Sequence, residues 1–157
     1  SRYMEELKFI VFRIGEQKYG MNLKYISGIE QDYRIIPVPN APEAVKGIIN
    51  LRGEVIPVYS LKARFSRDKQ MDSSENRLLI TMSSGTLLAY EVDEVVAIEE
   101  VKEENINEMP FMAFNDDNTF MEQVLHVGDD IVITINVDKV LSETAKKMVA
   151  QMIEDNK

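Results

Sequence analysis

The chain has 157 residues, enough for one domain with a sizeable core, and 45% of them are hydrophobic. Its 27 acidic and 18 basic residues give a net charge of -9 without a basic block, which argues against partners such as nucleic acid or anionic lipid. The absence of cysteine excludes disulfides and thiolate chemistry, and no apolar run reaches the roughly 18 residues of a membrane helix. We therefore expect a soluble, cytoplasmic protein with no direct membrane insertion.

Short apolar runs separated by Gly, Ser, Asp and Asn recur along the chain. Many short strands at such spacing are typical of an all-β barrel or sandwich. Pro57 within one run indicates an edge or a bulge, because proline cannot donate to a strand ladder. In chain order the predicted strands are "KFIVFRI", "EVIPVYSL", "NRLLITM", "TLLAYEV", "EVVAI" and "DIVITINV".

The two halves of the chain resemble each other in hydrophobic pattern. Residues 9–29 align without gaps on residues 78–98, and residues 48–65 align in the same way on residues 124–141. Identity is low and β-rich segments also align by chance, so chance similarity stays open. Two matches in the same order nevertheless favour two similar β-subdomains over one large sheet.

The C-terminal stretch changes its period from that of strands to that of a helix. Apolar residues recur at i, i+3, i+4, i+7 and i+8, which predicts one face of a helix over roughly residues 142–154, with Ser142 as its N-cap. We expect this helix to dock on the β body; binding a partner is the alternative. The residues of the face are Ala145, Met148, Val149, Met152 and Ile153.

Two polar stretches, residues 66–75 and 103–119, are predicted to be loops. The second contains "FMAF" at 111–114, which is either buried or an exposed apolar patch, and we favour burial.

Catalytic and metal-binding motifs are missing from the sequence. The single histidine, His126, falls in a predicted strand without the further ligands that a zinc site of His and Cys needs, and we expect it to be a half-buried structural residue. The glycines form no phosphate-binding motif, and the carboxylate runs look like solvated turns. We expect no catalytic residue, no metal and no cofactor, so the sequence predicts a binding module.

The most specific segment is "VPNAPEAVKGIINLRGEVIPVYSLKARF", residues 38–65, which places Arg52 on a glycine-flanked turn between two strands. This segment resembles the central signature of the CheW family of chemotaxis coupling proteins. "FIVFRIGEQKYGMNLKYISGI", "ENRLLIT", "EVDEVVAI" and "INVDKVL" are similar to other family segments. Together the resemblance covers roughly residues 8–141.

The resemblance implies a mainly all-β fold of two five-stranded SH3-like barrels packed around a shared apolar seam. We expect one CheW-like domain over residues 1–157, with subdomain halves at roughly 8–65 and 76–141 followed by the C-terminal helix. It also implies a non-enzymatic adaptor with two partners, the regulatory domain of the chemotaxis histidine kinase and the cytoplasmic hairpin tip of transmembrane chemoreceptors. Such an adaptor is recruited to receptor arrays at the membrane.

Carried across by position, the resemblance implies two sets of site residues. An apolar groove can take the stripe of an amphipathic helix, while a guanidinium fixes its register. Alternatively, the arginine bonds carbonyls of its own turn, and Gly47 and Gly53 serve the backbone conformation alone. The implied receptor-binding residues are Arg52, Ile26, Ile29, Leu78 and Gly47, and the implied kinase-binding residues are Leu23, Asn40 and Lys46.

The sequence also departs from the family pattern. Gly28 stands where a glutamate is frequent, Ser60 where an aspartate is common, and Tyr90 and Gln123 where glycines are frequent. Two other functions stay open: a regulatory module of a larger protein, either a kinase or a receiver fusion, and a small-ligand sensor with a pocket between the barrels.

Overall fold

A computed structural model describes residues 7–66, 73–110 and 119–157. The predicted "FMAF" segment and most of the predicted loop at 66–75 lie outside the described residues. The strands are β1 (Lys8–Ile14), β2 (Gln17–Asn22), β3 (Ile26–Glu30), β4 (Val45–Leu51), β5 (Glu54–Ser60), β6 (Arg77–Ser83), β7 (Thr86–Val92), β8 (Glu94–Glu100), β9 (Ile106–Glu108), β10 (Met121–Val127) and β11 (Asp130–Ile135). The α-helices are α1 (Leu61–Ser66) and α2 (Glu143–Asp155), and the described 3-10 turns are Leu23–Tyr25, Glu103–Asn105 and Val137–Lys139.

The strands form two sheets. The first has the order β8-β1-β2-β11-β10-β9 and the second the order β3-β6-β7-β5-β4. Neighbouring strands are antiparallel, except that β11 pairs with β2 and β5 pairs with β7 in parallel. Each sheet therefore combines hairpins with one parallel contact between strands that are distant in the chain.

Both sheets curl until their edges meet. In the second sheet, the chain beyond β3 returns to the opposite edge, where Ile36 and Ile48 exchange two backbone hydrogen bonds of 2.8 and 2.9 Å. In the first sheet, the chain beyond β8 returns through a short turn to the opposite edge, where β9 pairs with β10. We call the results the first and the second barrel. β9 is thus the closing segment of a five-stranded barrel.

The two barrels do not correspond to the two halves of the sequence. The hairpin β1–β2 lies in the first barrel with β8, β10 and β11, while the hairpin β6–β7 lies in the second barrel with β3, β4 and β5. The predicted subdomain bounds of 8–65 and 76–141 are therefore wrong as descriptions of the barrels. The two halves have similar hydrophobic patterns in their strands. The pattern alone does not indicate which copy of a strand pairs with which hairpin.

The predicted internal repeat is confirmed by the strand register. Phe9 pairs with Asn22 in the first barrel, and the aligned residues Leu78 and Glu91 pair in the second. The same holds for the other aligned pairs, including both parallel contacts and both register shifts, in β4–β5 and in β10–β11. The gapless alignment therefore describes a structural two-fold repeat.

Three apolar clusters fill the described part of the molecule. Strand β1 shows how they arise, because Phe9 and Val11 face one cluster while Ile10 and Phe12 face another. The strand is buried on both sides since it separates a barrel interior from the seam between the barrels. The first interior holds Phe9, Val11, Val101, Leu125 and Val132; the second holds Ile49, Ile56, Val58, Leu78, Ile80 and Ala89; the seam includes Phe12, Tyr59, Leu79, Tyr90 and Phe120.

The predicted C-terminal helix is confirmed as α2. Ser142 is its N-cap and accepts a hydrogen bond of 3.1 Å from the amide of Ala145. Val149 and Met152 are buried in the seam cluster, so the helix docks on the β body. No helix in the described part of the chain is both long and apolar enough to cross a membrane.

Candidate partner-binding surfaces

The β4–β5 turn holds Arg52 in an uncommon backbone conformation. Arg52 and Gly53 have φ of 50° and 88°, the positive pair that a two-residue type I′ hairpin needs. Glycine adopts positive φ freely, whereas a residue with a Cβ does so at a cost. The repeat makes the comparison direct, because the position equivalent to Arg52 in the β10–β11 turn is Gly128, with φ of 59°.

The Arg52 side chain projects away from its own turn. Asn50 serves the turn, since its Oδ1 accepts a 3.1 Å hydrogen bond from the Gly53 amide. The Arg52 side chain is 80% exposed, and its Nη2 lies 3.6 Å from Oε1 of Glu30 at the end of β3. This exposed ion pair contributes little to stability, so most of the hydrogen-bonding capacity of the arginine faces solvent.

A groove of about 980 Å³ opens beside this turn. Its walls are the β4–β5 turn, the β6–β7 hairpin and helix α2, and its floor includes Tyr90 and Val137 of the seam. Burial raises the pKa of Tyr90 far above its ordinary value, so the phenol stays protonated. This groove lies between the second barrel and α2, and none of the five implied receptor residues lines it, so the implied groove between the barrels stays a prediction. The apolar lining is Val55, Met82, Leu87, Leu88, Leu141, Val149, Ala150 and Ile153, among others.

The other implied receptor residues have unequal access to a partner. Ile29 is 43% exposed on β3, next to the Glu30 that Arg52 approaches. Ile26 is half-buried and pairs with Thr81, which lines the groove. Leu78 is 0% exposed in the interior of the second barrel, so the prediction that it contacts a partner is corrected. It packs inside the barrel on β6, the strand that pairs with β3.

Exposure of Ile29 does not by itself single out a site. The equivalent residue in the first barrel, Ile98, is 58% exposed. An exposed isoleucine is therefore a property of both copies of the repeat, whereas the arginine is found in one copy only. Arg52, where the other copy has Gly128, therefore distinguishes the second barrel from the first better than Ile29 does.

Gly47 is required by a close backbone approach. It is buried at the β4 bulge with φ of 150°, and a Cβ there would lie 2.1 Å from the carbonyl oxygen of Ile36. Such a distance is impossible without moving the backbone. The interpretation of Gly47 as a conformational residue is confirmed, and it has no side chain or surface to offer a receptor.

The implied kinase-binding residues lie on three elements. Leu23 is half-buried in the 3-10 turn before β3, and Asn40 is exposed in the β3–β4 connection with φ of 59°. Lys46 lies on β4, where its Nζ is 2.5 Å from Oε1 of the buried Glu91. Its ammonium group is thus engaged with Glu91, and the implied contact of Lys46 with the kinase stays a prediction.

Comparison with known proteins identifies the family. A family model described as "CheW-like domain" matches residues 8–145. The chain belongs to the CheW-like family. It is 25% identical to the Chemotaxis protein CheW of Treponema pallidum (94% of this chain and 89% of the relative) and 26% identical to that of Bacillus subtilis (89% and 90%).

A solved structure supports the fold at higher identity. The scaffolding protein TtCheW from Thermoanaerobacter tengcongensis is 32% identical, with a TM-score of 0.76 over 83% of this chain and 88% of that one. Strands make up 51% of the described residues, so the predicted mainly-β fold of two SH3-like subdomains with a C-terminal helix is confirmed.

The departures from the CheW pattern have local explanations. A Cβ at Gly28 would meet only Cγ1 of Ile80 at 4.0 Å, so the backbone of β3 does not demand glycine there. Ser60 Oγ accepts a 3.1 Å hydrogen bond from the amide of Ala63 and caps α1, a task that aspartate performs equally well. Tyr90 fills the seam and packs edge-on against Tyr59 at 5.9 Å.

His126 was wrongly predicted to be half-buried. It lies on β10, as expected, but is exposed, because it occupies the solvent-facing position before the β10–β11 turn. In residues 7–66, 73–110 and 119–157, no three histidine, aspartate or glutamate residues are grouped as metal ligands.

Sequence reasoning missed Glu30, Tyr33 and Glu91. Glu30 follows Ile29 directly, and nothing in the sequence indicated that Arg52 approaches it. Glu91 lies inside the apolar run "LLAYEV". A single charged residue in such a predicted strand is the signal from which a buried, partnered carboxylate could have been predicted.

Proposed function

We propose that this protein is a non-enzymatic chemotaxis adaptor that binds the hairpin tip of chemoreceptors and the regulatory domain of the chemotaxis histidine kinase. The observation that carries the proposal is Arg52, an 80% exposed arginine held at positive φ where the repeat elsewhere uses Gly128. Ser84, aligned with Gly15, also has a positive φ of 51°, so the exposed guanidinium of Arg52 rather than its backbone carries the argument. Membership of the CheW-like family supplies the class of task.

The receptor surface consists of the groove, Ile29 and Arg52. A receptor hairpin presents helices, and the apolar stripe of one helix fits a groove floored by seam residues and walled by β6 and α2. The guanidinium of Arg52 then donates to carbonyl or carboxylate oxygens of that helix and fixes its register. Glu30 at 3.6 Å holds the guanidinium near β3 without consuming its donors.

The kinase surface consists of Leu23 and Asn40, with Lys46 positioned behind them through its bond to Glu91. Asn40 is exposed and held at φ of 59°, so its side chain direction is set by the connection that carries it. Binding two partners on separate surfaces requires no reaction chemistry. It also places the protein at receptor arrays beside the membrane without inserting into the lipid.

The experiment is a pull-down with the receptor tip and the kinase regulatory domain, each alone and both together. The unmodified protein retains both partners, and Arg52→Ala loses the receptor tip while keeping the kinase domain. Lys147→Ala is the matched control, because it removes one exposed positive charge from α2 outside the groove lining. Retention of the receptor tip by Arg52→Ala at unchanged affinity contradicts the assignment of Arg52.

A further inference from the structure

Glu91 is a buried carboxylate with two partners from different parts of the chain. The residue is 2% exposed on β7, in the middle of the second sheet. Its Oε1 accepts from Lys46 Nζ at 2.5 Å, and its Oε2 accepts from the hydroxyl of Tyr33 at 2.6 Å. Both carboxylate oxygens are satisfied, which is the condition under which a buried charge is tolerated.

These partners lie at the two ends of one segment. Tyr33 is near the start of the β3–β4 connection, residues 31–44, and Lys46 follows its end on β4. Glu91 therefore ties both ends of the connection to the same point on β7. Asn40, the exposed residue of the proposed kinase surface, lies between the two ties.

The middle of the connection is held by backbone contacts that depend on the same geometry. Ile36 and Ile48 exchange two hydrogen bonds, and the Ile36 carbonyl passes so close to Gly47 that no Cβ fits. Since Gly47 directly follows Lys46, a shift of the lysine moves the glycine against which Ile36 packs. The ion pair and the close approach thus form one arrangement.

The barrel fold itself does not require a carboxylate at this place. In the first barrel, the positions equivalent to Glu91 and Lys46 are Asn22 and Glu122. Both are half-buried, and Asn22 accepts a 3.0 Å hydrogen bond from the amide of Lys24 in the following 3-10 turn. The first barrel therefore has the same strand register without a buried Lys–Glu pair. Strand register does not explain Glu91, and the β3–β4 connection is the feature that its two contacts hold in place.

We propose that Glu91 is a positioning residue that sets the place of the β3–β4 connection and thereby controls binding of the kinase regulatory domain. This inference rests on the proposed function for its partner, but not for its structural effect. Glu91 has almost no surface and acts through Tyr33 and Lys46. A partner that contacts Asn40 recognises a connection whose position Glu91 determines.

Hydrogen exchange of the free protein tests the structural effect. Glu91→Gln keeps the size of the side chain and removes the charge that Lys46 needs, so the amides of Ile36 and Ile48 exchange at least tenfold faster. The amide of Met109, which bonds the Glu122 carbonyl at the closing segment of the first barrel, is the internal control and stays unchanged. Glu100→Gln, on an exposed strand position, is the control variant.

Tyr33→Phe is the milder second variant, because it removes one hydroxyl and leaves the ion pair in place. It is expected to accelerate exchange at Ile36 and Ile48 by a smaller factor in the same pattern. Unchanged exchange in Glu91→Gln, or equal acceleration at Met109, overturns the positioning role, since the second outcome reports loss of global stability only.

Binding measurements then test the consequence. Glu91→Gln is expected to bind the kinase regulatory domain about tenfold more weakly and the receptor tip with unchanged affinity. Faster exchange together with unchanged kinase affinity overturns the proposed link from Glu91 to the kinase surface. If the unmodified protein binds no kinase domain, the proposed function fails instead, and the exchange data still decide whether Glu91 positions the connection.

Discussion

Arg52 occupies a backbone position that suits glycine better, and the same chain shows the better solution at Gly128. The two hairpins have the same register, but their turns differ, since the second turn residue has positive φ at Gly53 and not at the equivalent Asp129. At the residue scale, Arg52 therefore carries a conformational cost that a glycine at the same position does not have.

Arg52→Gly tests this conformational cost. We expect the free energy of unfolding to rise by about 0.5–1 kcal/mol, because positive φ no longer carries a Cβ penalty and the lost ion pair with Glu30 is exposed and weak. For a protein of this size the melting temperature rises by about 1–4 °C. Binding of the receptor tip is lost in the same variant. A variant that is both less stable and fully active contradicts this account of Arg52.

Gly47→Ala is expected to destabilise the protein by about 2–3 kcal/mol, since the new Cβ collides with the Ile36 carbonyl at a positive φ. Gly28→Ala is the matched control, because its Cβ meets ordinary space 4.0 Å from Ile80, and it stays within about 0.5 kcal/mol of the parent. Urea unfolding measures both. Similar values for the two variants are inconsistent with the close approach at Gly47.

Helix α2 shows how an element combines docking with a role in the site. Val149 is buried against the seam and also lines the groove, together with Ala150 and Ile153. The helix therefore stabilises the β body and forms one wall of the groove with the same apolar face. Its predicted docking and the alternative of partner binding are compatible.

Two methionines on α2 separate the docked side from the exposed side. Met152 is 6% exposed and Met148 is 46% exposed. Met152→Ala is expected to lower the free energy of unfolding by about 2–3 kcal/mol through lost burial and a cavity, and Met148→Ala by less than about 0.5 kcal/mol. Chemical denaturation compares them, and a larger effect at Met148 refutes the docking described here.

At the scale of the whole molecule, the chain joins the barrels by crossing between them. The strand that follows the β1–β2 hairpin pairs with β6, and the strand that follows the β6–β7 hairpin pairs with β1. The chain crosses from β7 in the second barrel to β8 in the first at Asp93. Polar contacts hold this crossing: the Gly15 amide donates to Asp93 Oδ2 at 2.6 Å, Lys62 lies 3.9 Å from the same oxygen, and Arg13 pairs with Glu94. Because each barrel contains strands from both halves, we expect neither half of the chain to fold alone.

The Arg13–Glu94 pair predicts how stability depends on pH. The hydrogen bond from Arg13 lowers the pKa of Glu94 below its usual value near 4.5. A carboxyl with a depressed pKa in the folded state stabilises the protein above its unfolded pKa, and this stabilisation is lost as the pH falls through the folded pKa. Thermal unfolding between pH 6 and about pH 3 should show a smaller decline for Glu94→Gln than for the parent.

The control for this titration is Glu100→Gln, which removes a carboxyl from the same strand. It should leave the pH dependence close to that of the parent. Parallel curves for the parent and Glu94→Gln contradict the contribution of the pair, and high salt should weaken the difference because both side chains remain about one-third exposed to solvent.

The sequence by itself determined β1, β5, β6, β7, β8 and β11, the helix with its Ser142 cap and the gapless repeat, and it singled out the Arg52 turn. These properties are local, since hydrophobic period, capping residues and turn chemistry act over a few neighbouring positions. Even the equivalence of distant strands was readable, because the same register imposes the same pattern twice.

Only the tertiary structure decided which copy of each strand pairs with which hairpin. It therefore also decided that Leu78 is buried, that Lys46 forms an ion pair with Glu91 and that α2 lines the groove. The two hairpins have similar hydrophobic patterns, so a given strand could pair with the edge of either one. Which hairpin it pairs with depends on contacts between residues far apart in the chain. Burial and partnership of single side chains follow from that choice. They are consequences of the assembled barrels, which no local pattern specifies.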